Sequence, residues 1–457
     1  RTAPDAFALP RVESAGLDGT VVLFAVGVTV LTGLLFGVLP ALQAARTAPA
    51  RALRSEGRGA SSSGGRVRNG LVVAEVALSL VLLVAAGLLA RSFARLVAVD
   101  PGIDPENVVA ARVALQGPAY DGQEPDVRFF TSLVDELRGS PGVEAAGGIT
   151  FLPFTDLASA TSYQVADQPV PDPEDMPVTE VRNVVGSYFE SVGMRLLEGR
   201  LLDDRDRADG RDVVVVSRAL AEAHWPGESA IGKRVLLQWA EQEDLEIVGV
   251  VEDARHYGLD VDPRPTLFLP YAQQPYFPFM YVTVRSASLT VAQVTRVLEE
   301  AVGRLDPAVP VSEVRVMRDV VAESVARPRM TAFLMGVLAA LAATLAAVGL
   351  YGVLSYTVSR RVREIGVRVA LGAEPGRVLG LVVGEGMLLV GGGVVLGVGA
   401  SLLLGDVVEA LLYGVAPTDP VSLVGASLLL VTVGLVACLL PAYRATRVEP
   451  SEALRSE

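Results

Sequence analysis

Glu75 and Glu385 each interrupt an otherwise apolar run. A carboxylate is costly in hydrocarbon and normally faces protein or water, where it can pass protons. Two chemistries compete for these acids: proton transfer during transport, or snorkelling and pairing with a nearby arginine. Both lie about one or two helical turns from the cytoplasmic boundary predicted below, which favours pairing.

A second spacing belongs to phosphate chemistry. Gly227 to Arg234 reads G-E-S-A-I-G-K-R, which fits a phosphate-binding loop as far as Lys233 but places Arg234 where Ser or Thr would hold Mg²⁺. It follows His224-Trp225-Pro226 instead of a buried strand, so a tight turn is the expectation. No other segment supplies such a loop, and ATP hydrolysis is not expected in this chain. Asp203, Asp204, Asp206 and Asp209 alternate with Arg205, Arg207 and Arg211 around Gly210, a pattern that reads as a solvated loop. His224 and His256 lie apart with no cysteine beside them, and Cys438, the sole cysteine, sits in an apolar run. Neither a metal site nor a disulfide framework is expected. With no Ser/His/Asp order or activated thiol, the expected catalytic, cofactor and metal sets are empty, and the chain reads as a non-enzyme.

The elements that carry these residues are apolar runs. Of 457 residues 51% are hydrophobic and 20% charged, with mean hydropathy +0.43, a balance that implies membrane and aqueous parts together. Runs over 21–42, 71–90, 330–357, 379–404 and 421–440 each approach or exceed the roughly 20 residues that cross a bilayer. Between the second and third lies 100–326, with 38 acidic and 19 basic residues, whereas the rest of the chain has 14 acidic and 20 basic. Arginines cluster beside the runs: Arg46, Arg51, Arg54, Arg58, Arg66 and Arg68; then Arg360, Arg361, Arg363, Arg368 and Arg377; then Arg444, Arg447 and Arg455. The positive-inside rule makes these cytoplasmic. Alternation then places 100–326 and 405–420 outside and the C-terminus inside. Residues before 21 would also be outside, yet no signal peptide pattern precedes them and Arg1 is not an initiator methionine. The expectation is a piece of a longer protein lacking at least one upstream span.

A repeat points the same way. Residues 40–56 read PALQAARTAPARALRSE and 441–457 read PAYRATRVEPSEALRSE, identical at ten positions and each following an apolar run. A membrane module is therefore expected to be duplicated, with this chain holding the tail of one copy and the whole of the next. The expected division is 1–58 for the upstream module's last helix and tail, 59–69 for a linker, 70–99 for the first helix of the second module, 100–326 for the external domain and 327–457 for a three-helix permease part.

Within the external segment, 108–115 reads as strand, 126–137 as a helix with Phe129, Phe130, Leu133 and Leu137 on one side, and 143–151 as strand. A second β-α-β unit covers 280–285, 291–305 and 309–316. Between them, 155–271 reads as an inserted β-rich lobe that includes 213–216 and 246–251. The fold class is thus an α-helical membrane protein with an α+β external domain. Gly33 and Gly37, Gly380 and Gly384, and Gly393 and Gly397 form small-xxx-small pairs suited to close helix packing. In the stretch 359–372, Val362, Ile365, Val367 and Val369 alternate with Arg361, Arg363, Glu364 and Arg368 at helical spacing, giving an amphipathic helix for the inner surface.

These segments together resemble the FtsX-like and MacB-like permease family. The resemblance rests on Val72 to Leu78 (VVAEVAL), Val192-Gly193-Met194 with Leu197-Glu198-Gly199-Arg200, and Trp225-Pro226-Gly227 leading to Ile231-Gly232-Lys233-Arg234. It extends through Asp262-Pro263-Arg264-Pro265 and the loop RRVREIGVRVALGAE at 360–374. The duplication resembles that of two-module orphan permeases. The resemblance implies a MacB-like periplasmic core and a bacterial inner-membrane permease that transmits motion from a cytoplasmic ABC ATPase to an external domain acting on an envelope substrate. ATP would bind in that partner subunit. Arg360, Arg361, Arg363, Glu364, Ile365, Gly366, Arg368, Leu371 and Gly372 would form the coupling helix. The upstream module would be a pseudo-dimer partner, with room for a periplasmic adaptor and no role for nucleic acid. Two other classes stay open: an ATPase-independent scaffold or sensor, and a proton-driven transporter using Glu75 or Glu385.

Overall fold

The computed structural model describes residues 19, 20, 22–24, 26, 27, 29, 30, 62–155, 159–172, 174–238, 242–361, 368 and 374–446. The chain divides into two units, one made of Arg1–Arg95 with Pro328–Glu457 and the other of Leu96–Arg327. Most of the run over 21–42 lies outside the described residues.

The first unit is helical. Helix α1 covers Ser62–Val97, and at about 1.5 Å per residue it outruns a hydrocarbon core of roughly 30 Å. Among the described residues four helices are long and apolar enough to cross a membrane, of which α1 is the first. It buries one stripe, Val72, Val76, Leu80, Val84 and Leu88, at near-helical spacing, while Leu71 and Leu78 stay exposed. An apolar stripe facing protein and an apolar face left outside is the arrangement lipid permits.

The second unit begins with β1 (Val108–Ala114), α2 (Gln123–Arg138) and β2 (Ala145–Ile149). It then runs through β3 (Ala160–Val165), β4 (Val178–Gly186), α3 (Tyr188–Ser191), β5 (Leu196–Gly199), β6 (Val213–Ser217) and α4 (Arg218–His224). Strands β7 (Arg234–Gln238), β8 (Gln242–Val251), β9 (Thr266–Pro270) and β10 (Phe279–Arg285) follow, then α5 (Val291–Leu305), β11 (Val311–Val316) and α6 (Met317–Ser324). The two β-α-β halves interlock, because β10 lies between β1 and β2 while β1 lies between β10 and β11, all antiparallel. Helices α2 and α5 turn Phe130, Leu133, Leu137, Leu298 and Val302 onto Val113, Val282 and Val284 of this sheet. Thr290 and Gln293 cap α5 reciprocally.

The inserted lobe closes on itself. Strands pair in the ring β4, β3, β7, β8, β6, β9 and back to β4, so no strand of the ring is left with a bare edge. Val181, Val214, Val216, Val235, Leu237, Ile247 and Leu267 fill one side of these strands. Val213 and Val215 face the opposite way, into a seam shared with Ile149, Tyr188, Phe189, Phe268 and Tyr281. Strand β6 is buried on both faces, and its continuous valine run follows from that. Strand β4 serves both lobes, pairing with β2 near Val184 to Gly186 and with β9 over Glu180 to Val184.

The chain returns to the membrane unit through α7 (Ala326–Arg360), α8 (Pro375–Leu403), the short α9 (Gly405–Glu409) and α10 (Pro420–Thr446). Helix α8 meets α1 at backbone range: a Cβ on Gly393 would stand 2.4 Å from Val76 Cγ1, and one on Gly397 would stand 2.9 Å from the Ala77 carbonyl oxygen. Gly380 and Gly384 are exposed, and a Cβ on either would meet no atom of the described residues within 4 Å, so their expected packing finds no partner among the described residues. Their face of α8 points away from the described helices. The glycine that makes room there is Gly386, against Leu354 and Cys438. Gly33 and Gly37 lie outside the described residues.

Candidate functional site

The inner end of α7 is held from three sides. Arg68 of α1 stacks its guanidinium over the Tyr356 ring at 4.3 Å and points Nη2 at Thr357 Oγ1, 3.5 Å away. Arg444 of α10 donates from Nη1 to the Tyr351 hydroxyl at 2.8 Å. Arg361, just past the end of α7, is ion-paired with Glu385 of α8. Val358, Val378, Val382 and Ala442 pack together at the same level. Arginine suits this role because its long apolar stem lies along a helix while the head stays near the boundary. The acid at 385 thus has the pairing environment, reached across 24 residues of sequence.

Glu75 is placed differently. Its carboxylate lies against Gly349 of α7, so close that a Cβ there would stand 2.4 Å from Oε2. Four residues on, Ser79 Oγ donates to the Ala342 carbonyl at 2.9 Å. Glu75 has no salt-bridge partner among the described residues. It is level with Gly393, eight residues from Glu385 along α8, which sets the two acids about 12 Å apart along the helix axis. The structure does not bring them together.

Of the expected coupling residues, Arg363, Glu364, Ile365, Gly366, Leu371 and Gly372 lie outside the described residues. Arg360 closes α7, Arg361 makes the pair with Glu385, and Arg368 is helical and exposed.

At the other end of the bundle, Asp419 precedes Pro420, the first residue of α10, and accepts from Ser422 N and Ser422 Oγ at 2.8 Å. It also pairs with Arg91 of α1 at 2.5 Å. The Ser422 hydrogen bond, followed by the backbone and Arg91, holds this carboxyl below the usual range. Sequence reasoning passed over Asp419, although an acid followed by Pro at the first helical position is a helix-start signature.

In the ectodomain, Lys233 of the phosphate-loop lookalike faces the Glu228 carboxylate at 3.9 Å, and the segment turns directly into β7. The acidic stretch after β5 is more than a solvated loop. Asp206 is only 5% exposed and takes both Arg200 guanidinium nitrogens at 2.6 and 2.8 Å, while Arg205 pairs outside with Asp203. That hydrogen bond from Arg205 draws the Asp203 carboxyl down to about 2. His224 Nε2 meets the Tyr163 hydroxyl at 2.5 Å, and His256 is fully enclosed elsewhere. Among the described residues no three His, Cys, Asp or Glu side chains gather in a metal-binding group.

An apolar helical bundle with basic inner ends, interrupted after α1 by a two-lobed α/β domain, defines a multi-pass membrane permease with a large extracytoplasmic domain. Residues 70–301 match the MacB-like periplasmic core domain and residues 336–450 the FtsX-like permease C-terminal region, and the chain belongs to this MacB-like ABC transporter permease family of the inner membrane. It is 25% identical over 273 residues to the macrolide export ATP-binding/permease protein MacB of Marinobacter nauticus, covering 57% of this chain and 41% of that protein. It is 25% identical over 294 residues to the uncharacterized ABC transporter permease YvrN of Bacillus subtilis, covering 61% and 70%. Among solved structures, the periplasmic region of MacB from Actinobacillus actinomycetemcomitans aligns over 48% of this chain and 92% of that chain, with 17% identity and a TM-score of 0.33. The chain spans about half or less of the length of the MacB relatives it matches.

Proposed function

We propose that this chain is the transmitting permease of an ABC-type export or mechanotransmission machine. A partner ATPase would bind and hydrolyse ATP, the segment 360–372 would take up its motion, and the ectodomain would act on an envelope substrate. The observation that supports this reading most is the Arg361–Glu385 pair. It joins the second residue of that segment to α8, ten residues from the helix start, so a force on the segment reaches two helices at once. Arg68 and Arg444 extend the grip to α1 and α10. Within this reading the chain itself hydrolyses nothing, an upstream module supplies the second half of a pseudo-dimer, and the division of the chain follows the segments set out from its sequence.

The test is to purify the tagged full-length protein from native membranes and assay ATPase activity and co-purifying subunits. Arg363→Glu paired with Glu364→Arg should release a nucleotide-binding subunit that the unmodified protein retains. Retention of that subunit by the variant would remove segment 360–372 from the contact.

A further inference from the structure

Residues 100–106 leave α1 and are gripped at once by both lobes of the ectodomain. From the loop after β8, Arg255 N donates to the Pro101 carbonyl at 3.0 Å. Gly102 lies on the same loop at φ +75, so tightly that a Cβ would fall 1.8 Å from the Asp253 carbonyl oxygen. From the α/β lobe, Arg285 at the end of β10 donates to the Asp104 carbonyl and to its Oδ2, both at 2.8 Å. Asp104 N in turn donates to the Val192 carbonyl at 2.8 Å. Ile103 between these contacts is 5% exposed and belongs to the seam core. A short segment covalently continuous with a membrane helix is thus bonded across the joint of two lobes.

Beside this apolar seam core lies a buried polar cluster. Arg182 and Glu180 of β4 form an ion pair at 2.7 Å with side chains only 2% and 3% exposed, and Arg182 Nη1 also donates to the Phe151 carbonyl. His256, on the same loop that grips Pro101, has no hydrogen-bond partner on either ring nitrogen among the described residues, and the buried Tyr188 hydroxyl has none among them either. A buried network with unmet donors and acceptors is less firmly closed than an apolar core.

We propose that residues 100–106 are the link through which α1 acts on both lobes, with Gly102, Asp104 and Arg285 as positioning residues that set the angle between them. This deepens the transmitting role and rests on it for the source of movement.

Hydrogen–deuterium exchange on the full chain in lipid nanodiscs tests the link without any ATPase. Asp104→Ala and Arg285→Lys should each raise amide exchange about tenfold or more in 188–192, packed on the α/β lobe, and in 249–259 of the inserted lobe. Amides of α2 and α5 should keep their protection, and Asp104→Asn, which retains an acceptor, should restore most of it. Gly102→Val should act in the same direction. A rise confined to 100–106, or one that spreads equally through α2 and α5, would overturn the proposal. Loosening of both segments in a protein that captures no ATP-binding subunit would support the link while removing its proposed driver.

Discussion

Arg361, one residue beyond the end of α7, is ion-paired with Glu385, ten residues inside α8. Both side chains are more than a third exposed, so in water such a pair would contribute about 0.2–1 kcal/mol. Glu385→Gln should free the inner ends of α7 and α8 to separate. The check is disulfide formation between cysteines placed at Val358 and Val382 in a Cys438→Ser background. It should slow several-fold in Glu385→Gln and recover in the swap Arg361→Glu with Glu385→Arg. Equal rates in all three would show that the pair carries no positional role.

Gly393 is predicted to be intolerant because Val76 occupies the space of its missing side chain. Gly393→Val should lower stability by about 1–3 kcal/mol through overpacking, read as a lower unfolding temperature in detergent. Gly384→Val, on an open face, should be near neutral in the same assay.

His256 gives the ectodomain an acid-sensitive stability. Burial, with Arg182 adding to it, holds its imidazole well below its ordinary value. Glu180 and the Tyr188 and Tyr257 hydroxyls are the other titratable groups around Arg182. A folded-state value below the unfolded one means that unfolding binds a proton at acid pH. Stability should therefore be full above about pH 6.5 and fall below it, by at most about 1.4 kcal/mol per pH unit for one proton. Unfolding temperature measured from pH 7.5 to 5.5 should decline in the unmodified protein, and His256→Leu should flatten that decline. An unchanged slope in the variant would assign the pH dependence elsewhere.

Asp419 both caps α10 and meets Arg91. Asp419→Ala should cost about 0.5–2 kcal/mol, the range for losing a helix N-cap, and Asp419→Asn should recover part of it. Urea or thermal unfolding in mixed micelles would measure the order. If Asp419→Ala matched the parent, the contact would be structurally idle.

The two β-α-β halves were legible because Phe129, Phe130, Leu133 and Leu137 repeat at helical spacing and sit between short apolar strands, all of it local information. The closed ring of the inserted lobe was not, since β4 finds β9, and β3 finds β7, across long stretches of chain. The valine run at 213–216 showed burial without showing that its two faces enter different cores. For the glycines, spacing alone cannot distinguish Gly393, which meets α1, from Gly380, which meets none of the described residues, because orientation about the helix axis is decided by partners. Glu385 was readable as an acid in need of an arginine, but the identity of Arg361 depended on the antiparallel return of α8. Asp206 looked solvated because a charged, Gly-containing stretch usually is, and its burial comes from Arg200 folding back over it.

In the proposed function, segment 360–372 passes motion from a cytoplasmic ATPase into the bundle. The most direct measurement is photo-crosslinking in native membranes with a reactive residue at Val367 of the full-length protein, followed by mass spectrometry of the captured species. Capture of an ATP-binding subunit is the predicted result. Capture of lipid and the protein itself alone, while control crosslinks form normally, would contradict the account and favour a scaffold or sensor that works without an ATPase.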